Sequence, residues 1–483
     1  MKVSKLFENI PVLRWSCDPE LEVSGVCFDS RKASAGSAFV AVRGFATDGH
    51  RFIPAALERG AGLIVAEEAP AADVPYVLVE NSRRVLAQIS ANFYDHPEKK
   101  LRMIGVTGTN GKTTTTHLLK TVLESVGHKC GLIGTNGVQI GDRHIPGQRT
   151  TPESCDLFRL LDEMVQAGCS HVLMEVSSHS LVLDRVYGIT FDVAAFTNLT
   201  QDHLDFHGDM EQYYLAKAML FDRCRVGVIN RDDVYGYRLA QERAGQGIFT
   251  YSVVADEATL TGKNVLLKPD RVQFEAVCGS DIARVRLGIP GRFSVYNALT
   301  VIGCALCLGL DLTDIAVGLQ QAEGVLGRAE VVPTDTDYTV VIDYAHTPDS
   351  MEKILRATRP GTPGRMIALF GAGGDRDATK RPIMGRVGAE LADICVITSD
   401  NPRSEDPQSI IDQVMAGAKG QKAQLYMVPD RREAIAFAMG LAKAGDTLLL
   451  LGKGHETYQE IGGVQLHLDE REEVARILQE QKK

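Results

Sequence analysis

The segment Met103-Ile-Gly-Val-Thr-Gly-Thr-Asn-Gly-Lys-Thr-Thr-Thr-Thr116 leaves few folds open to the chain that carries it. Met103 to Val106 is a short apolar run that reads as a buried strand, and Gly108 and Gly111 punctuate a turn after it. From Lys112 onward Leu118, Leu119, Val122, Leu123 and Val126 recur at helical spacing, with Gly127 as the stop. Strand, glycine turn, Lys-Thr and helix make up a phosphate-binding loop. Glycines let backbone N–H groups close around phosphate oxygens, and the helix N-terminus adds partial positive charge. Gly108, Thr109, Asn110, Gly111, Thr113 and Thr114 would then cradle phosphates, Lys112 would reach the β and γ phosphates, and the Thr113 hydroxyl would ligate Mg²⁺. The strict G-x-x-x-x-G-K-[ST] spacing is not met, because Val106 stands five residues before Gly111. The plainer alternative is a glycine turn ahead of a lysine-capped helix.

Apolar strand-length runs alternate with helical segments along much of the chain, and 483 residues are too many for one core. About three α/β domains are expected. In a smaller N-terminal unit, residues 1–98, the runs at 26–31, 37–42 and 63–66 read as strands, with helices at 52–59 and 82–94. Pro97 to Lys100 is a polar linker. The central unit, 99–330, holds the phosphate loop, apolar runs at 131–135, 171–176 and 192–198 in a mainly parallel sheet, and a long buried helix over 294–310. In the third unit, 331–483, runs at 340–343, 366–370, 394–398 and 447–451 are separated by helices near 349–358, 381–392, 407–418 and 431–443. That alternation predicts a doubly wound, Rossmann-like parallel sheet.

Apolar residues at 44% and charged residues at 24% are ordinary for a globular protein, and a net charge of −10 excludes a general affinity for nucleic acid or anionic membrane. The ten cysteines contain no C-x-x-C pair and read as reduced thiols. No apolar run reaches membrane-spanning length, and the first residues lack a signal-type apolar core. A cytoplasmic monomer without membrane insertion is expected.

Glu175 stands near the C-terminal end of the 171–176 run, the edge where ligands collect in open α/β sheets. Glu175 and His203 on neighbouring strand ends could hold Mg²⁺ or a phosphate beside Thr113. Taken alone, His203 reads equally well as a structural histidine, since Mg²⁺ prefers oxygen. Lys217, in Tyr213-Tyr-Leu-Ala-Lys217, reads by itself as an ordinary helical lysine.

Thr107-Gly-Thr-Asn-Gly-Lys-Thr-Thr114, Arg149-Thr-Thr-Pro152, Met174-Glu-Val-Ser-Ser-His179, Asn198 to Gly208, Gly327-Arg-Ala-Glu330 and Asp343-Tyr-Ala-His-Thr-Pro-Asp349 together resemble the Mur ligase family over nearly the whole chain. The resemblance implies an ATP-dependent ligase that joins meso-diaminopimelate to the D-Glu γ-carboxylate of UDP-MurNAc-L-Ala-D-Glu through an acyl phosphate. It implies carbamylation of Lys217, which turns a cation into a carboxylate, and two Mg²⁺ ions held with Thr113, Glu175 and His203. It further implies that Ser30 contacts the uridine nucleotide and that Thr150, Thr151, Ser177 and Arg185 hold the remaining groups of that substrate. Asn297 and Arg328 would contact ATP, and Asp343 its ribose. Without the resemblance, Ser30, Thr150 and Thr151 read as turn residues. Leu183 departs from the polar residue some relatives carry there.

Asp400, Asn401, Pro402 and Arg403 resemble the recognition tetrad of diaminopimelate-adding relatives, and Arg376, Gly452 and Glu456 match the rest of that pocket. An arginine fork suits a carboxylate, which diaminopimelate carries at its far end and lysine lacks. Glu456 would pair with the far ammonium. Lysine addition, a folylpolyglutamate synthase-like ligase, and a nucleotide-regulated binding protein without turnover are the alternatives.

Overall fold

Three sheets collect the apolar runs of the chain, and the computed structural model describes them over residues 1–44, 47–147, 149–322 and 324–481. The chain divides into two compact units, Met1–Thr259 with Thr300–Asp311 and Leu260–Leu299 with Leu312–Lys483.

In the first unit, α1 (Val3–Leu6), β1 (Arg14–Ser16), β2 (Val26–Cys27), β3 (Ala38–Val40), α2 (Ile53–Glu58), β4 (Leu63–Ala66), β5 (Tyr76–Leu78) and α3 (Ser82–Phe93) build a five-stranded sheet in the order β1-β5-β4-β3-β2. The expected strand over 26–31 stops at Cys27. The Asp29 carboxylate accepts the Arg31 N–H at 3.0 Å, which takes that donor out of any ladder and folds Ser30–Lys32 into a tight 3₁₀ turn.

A second sheet of the first unit follows: β6 (Arg102–Thr107), α4 (Lys112–Ser125), β7 (Cys130–Gly134), β8 (Gly137–Ile140), β9 (Arg143–Ile145), α5 (Ser154–Gln166), β10 (His171–Glu175), α6 (Ser178–Val182), β11 (Phe191–Phe196), α7 (Leu204–His207), α8 (Met210–Ala218), β12 (Cys224–Asn230), α9 (Val234–Glu242) and β13 (Ile248–Ser252). The strands run in the order β13-β12-β11-β6-β10-β7-β8-β9, parallel from β13 to β7 and antiparallel beyond. Every residue of β7 and β10 is buried, as expected of strands covered on both faces. The register pairs Glu175 with Val106, so the carboxyl end of β10 lies beside the strand that feeds the phosphate loop.

In the second unit β14 (Leu260–Leu267), β15 (Val272–Cys278) and β16 (Asp281–Leu287) form an antiparallel meander whose length and polarity the sequence reading did not anticipate. α10 (Arg292–Cys307), which begins in this unit and from Thr300 on belongs to the first, matches the expected long apolar helix, and α11 (Leu312–Gln321) follows in the second unit. Then come β17 (Glu330–Val332), β18 (Thr339–Asp343), α12 (Pro348–Thr358), β19 (Met366–Phe370), α13 (Lys380–Leu391), β20 (Ile394–Ile397), α14 (Pro407–Ala418), β21 (Gln424–Met427), α15 (Arg431–Leu441), β22 (Thr447–Leu451), a hairpin of β23 (Tyr458–Ile461) and β24 (Val464–His467), and α16 (Glu470–Gln481). The six-stranded order is β17-β18-β22-β19-β20-β21, parallel except for β17. Pro348 and Pro407 open α12 and α14, each behind a side-chain cap, from Thr347 and Asp406. Among the described residues no helix is long and apolar enough to cross a membrane.

Candidate active site

Gly108 closes the turn between β6 and α4 at φ +142°, where a Cβ would stand 1.9 Å from Thr197 Oγ1. The loop is braced from outside by the segment after β11. Thr197 Oγ1 donates to Asn110 O at 2.6 Å, Asn198 Oδ1 accepts from Asn110 N at 3.0 Å, and Thr200 N donates to Thr109 Oγ1 at 3.0 Å. Thr113 and Thr114 are buried in the first turn of α4. Lys112 Nζ curls back over the loop, donating to Gly108 O at 3.0 Å and Thr109 O at 2.9 Å.

Lys217 enters the same loop from α8. Its fully buried Nζ donates to Gly108 O at 2.9 Å and lies 4.6 Å from the centre of the Tyr213 ring. Burial first, and repulsion from Lys112 second, hold its pKa well below the usual lysine value. Tyr213 also reaches the loop, its hydroxyl 3.3 Å from Thr109 Oγ1. His203 caps α7 in the left-handed region, half-exposed, with its ring centre 6.3 Å from that of Tyr213 and 5.0 Å from that of His179. Burial pushes the neighbouring His207 down to about 4, and its Nε2 is bonded to Ser178 Oγ at 2.9 Å.

Glu175 is completely buried at the end of β10, where Thr135 donates to it twice, N to Oε1 at 2.9 Å and Oγ1 to Oε2 at 3.1 Å. Around this carboxylate the structure gathers four of the expected substrate residues of the first unit, Thr150, Thr151, Ser177 and Arg185. Thr150 Oγ1 is 3.1 Å from Thr135 Oγ1, and Thr151 Oγ1 donates to Glu175 O at 2.8 Å and accepts Ser177 N at 3.1 Å. Arg185 donates to Thr151 O at 3.2 Å and pairs with Glu153 at 2.9 Å. Leu183 offers its carbonyl to Arg83 at 3.3 Å, so its polar contact is made by backbone. Ser30 lies apart from this cluster in sequence, on the 3₁₀ turn Ser30–Lys32 that follows β2.

In the second unit Asp343, Asp400 and Gly452 stand at or just beyond the carboxyl ends of strands. Asp343 ends β18, with Oδ2 accepting Ala329 N at 2.7 Å and Oδ1 accepting Ala345 N at 2.9 Å. The Arg328 guanidinium lies over the Tyr344 ring at 5.3 Å. Asn297 is buried in α10. Asp400, Asn401 and Pro402 follow β20, and Gly452 follows β22 at φ +113°, where a Cβ would meet Asp400 Oδ2 at 2.5 Å. Asn401 Nδ2 donates to Glu456 Oε2 at 3.0 Å. Arg403 is held on two sides, Nη1 donating to Gly374 O at 2.7 Å and Nε to Glu460 Oε2 at 3.1 Å. A ligand carboxylate would therefore be met by Nη2 and the second Nη1 hydrogen. Arg376 sits on an exposed turn two residues beyond Gly374.

Sequence reasoning missed Thr135, Lys453 and Glu460. Thr135 was within reach, since it ends an apolar run beside the phosphate-loop strand. Lys453 was visible as a lysine between two glycines after β22, but its burial was not. Glu460 depends on a hairpin pairing in which Arg403 N donates to Glu460 O at 3.0 Å, a contact across 57 positions.

A phosphate loop beside a strand-end glutamate in one unit, and an acid, amide and arginine pocket on a doubly wound sheet in the other, define the nucleotide-using α/β enzymes. Residues 22–94 match the Mur ligase family catalytic domain, 106–305 the Mur ligase middle domain and 327–454 the Mur ligase glutamate ligase domain. The chain is 45% identical to the UDP-N-acetylmuramoyl-L-alanyl-D-glutamate--2,6-diaminopimelate ligase 1 of Clostridium acetobutylicum, over 99% of this chain and 100% of that one. It is 46% identical to the ligase of the same name from Caldanaerobacter subterraneus subsp. tengcongensis, over 96% of this chain and 97% of the relative. A solved structure of a UDP-N-acetylmuramoyl-L-alanyl-D-glutamate--2,6-diaminopimelate ligase superposes with a TM-score of 0.77 at 32% identity, covering 100% of both chains. The chain belongs to the Mur ligase family, with three α/β domains.

Proposed function

We propose that this chain is an ATP-dependent amide ligase that adds meso-diaminopimelate to the D-Glu γ-carboxylate of UDP-MurNAc-L-Ala-D-Glu in peptidoglycan precursor synthesis. Residues 1–98 take the uridine nucleotide, 99–330 take ATP and 331–483 take the amino acid. The observation that carries the amino-acid assignment is the pocket after β20 and β22. There Arg403 keeps donors for a carboxylate while Asp400 and Glu456 supply acceptors for an ammonium. A ligand end bearing both groups satisfies it, and a bare ammonium brings a second cation up to the arginine with no carboxylate of its own.

In the reaction a γ-carboxylate oxygen attacks the γ-phosphorus of ATP and the bond to ADP breaks. The amine of diaminopimelate then attacks the acyl carbon, phosphate leaves and the nitrogen gives up a proton. Catalysis of the first step is mostly positioning and charge neutralisation. Lys112, now turned onto its own loop, swings to the phosphates, and the Gly108–Thr114 amides hold them. Thr150, Thr151, Ser177 and Arg185 orient the acceptor near Glu175.

The donor set fits Mg²⁺ only in part as it stands. The Thr113 hydroxyl and Glu175 carboxylate suit a hard cation, whereas His203 is an imidazole and an unmodified Lys217 offers nitrogen in place of oxygen. Carbamylation completes the set. A buried amine with a depressed pKa is the neutral nucleophile that adds to CO₂, forming an N–C bond and releasing a proton. Thr113, Glu175, His203 and the carbamate on Lys217 would then hold two Mg²⁺, which when bound neutralise charge on the phosphates.

The test is ATP-dependent phosphate release with UDP-MurNAc-L-Ala-D-Glu, comparing meso-diaminopimelate with L-lysine in the wild type and Arg403→Ala. Turnover with diaminopimelate alone, and a preference reduced about 10- to 100-fold in the variant, is expected. Equal use of lysine by the wild type would remove the pocket assignment. Turnover with neither amine would remove the ligase.

A further inference from the structure

Lys453 carries a fully buried ammonium in the second unit, between the two glycines that follow β22. Its three hydrogens find three acceptors. These are Asn401 Oδ1 at short range, Tyr458 O at 2.8 Å and Glu456 Oε2 at 3.3 Å, with Asp400 Oδ1 3.6 Å away. An ammonium has three donors and no acceptor, so the arrangement saturates it in its charged form. Burying that charge is costly unless it is paired and hydrogen-bonded, and here it is both. Asn401 is locked from both ends. Its Oδ1 accepts Lys453 and the Glu460 amide at 2.9 Å, which turns its Nδ2 onto Glu456 at 3.0 Å.

The electrostatic consequence concerns the ligand's far carboxylate. Asp400 and Glu456 place two negative charges where one far ammonium is to bind, and Glu460 already engages Arg403. Without a cation behind them, the acid pair would attract any ammonium and repel a carboxylate on the same carbon. We propose that Lys453 is a positioning and specificity-determining residue: its ammonium presets Asn401 and Glu456 and offsets one of their charges, so that an amino acid ending in both ammonium and carboxylate is accepted over one ending in ammonium alone. This rests on the ligase reading above and adds to it a residue that touches neither substrate nor nucleotide in that scheme.

The experiment measures kcat/KM for meso-diaminopimelate and for L-lysine in the wild type, Lys453→Met and Lys453→Arg, with thermal melting as a check of folding. Loss of the charge is expected to lower the diaminopimelate-to-lysine ratio about tenfold, through a higher KM for diaminopimelate. Lys453→Arg keeps the charge and should hold the ratio within about twofold, even where both rates fall. A purely structural lysine would reduce both substrates alike, and an unchanged ratio in Lys453→Met, or a ratio that drops as far in Lys453→Arg as in Lys453→Met, overturns the proposal. Should Lys453→Met fail to fold, Lys453→Gln removes the charge while keeping a donor, and its ratio is read by the same rule. A wild type without diaminopimelate-dependent turnover would instead overturn the ligase reading, and this inference with it.

Discussion

One carbonyl draws two lysines together. Gly108 O accepts from Lys112, four positions on, and from Lys217, 109 positions on, the second only because α8 folds back on the loop. That carbonyl points where it does because residue 108 has φ +142° and lies against Thr197. Gly108→Ala would force Thr197 Oγ1 away from a contact of 1.9 Å and strain the backbone at once. Thr197 cannot yield freely, since it is also bonded to Asn110. Affinity for ADP is expected to fall about 10- to 100-fold, because a hydrogen bond lost to a charged phosphate costs about 1.5–3 kcal/mol. Titration with a fluorescent ADP analogue reads it, with the melting midpoint as control; affinity within threefold of wild type would show that the loop tolerates the shift.

Among the elements, β10 joins stability to chemistry, since it begins at His171 and ends at Glu175. Burial first, and the His128 ring 4.5 Å away second, push the His171 imidazole down to about 4 from 6.5. The unfolded chain therefore takes up a proton at a higher pH than the folded one. The contribution of His171 to stability is complete above about pH 6.5, declines as pH falls towards 4, and changes no further below that. Between pH 7.5 and pH 5 it amounts to about 2 kcal/mol. His171→Gln cannot titrate, so its melting midpoint should fall less over that interval than that of the wild type. Parallel midpoint curves would mean that the folded imidazole accepts its proton without penalty. The apolar character of β10 was legible in its five residues. The pairing that places Glu175 beside the phosphate-loop strand, and Thr135 against its carboxylate, was not, because β7, β10 and β6 meet across 41 and 69 positions and only the sheet order joins them.

Across the molecule, both parallel sheets present their chemistry at the carboxyl ends of strands, the edge that the alternation of apolar runs and helices already indicated. Local signals carried the rest of what could be read: the glycine turn before Lys112, and the Asp400–Arg403 turn before Pro407. What escaped were contacts made by distant residues, such as Glu460 on Arg403, and the depth at which Lys217 and Lys453 are buried. Another such contact, Arg431 with Glu470, ties the last helix to the pocket. The pair is completely buried, with Arg431 donating to Glu470 Oε1 at 2.7 Å and 2.9 Å. The same guanidinium reaches Ser399 O at 3.3 Å and Leu451 O at 2.9 Å, the carbonyls just ahead of Asp400 and Gly452. Burial raises the Glu470 carboxyl above its ordinary range even with Arg431 present. Arg431→Met would leave that carboxyl without its partner, and a loss of about 3–5 kcal/mol is expected. Replacing both, in Arg431→Met with Glu470→Leu, removes the orphaned acid and should recover much of the loss. The KM for diaminopimelate should nevertheless stay raised in the double variant, since Ser399 O and Leu451 O still lack their donor. Denaturant midpoints and KM values for the three proteins read both effects. A double variant no more stable than Arg431→Met would place the cost in lost packing, and one with a wild-type KM would show that the strand ends hold the pocket without the arginine.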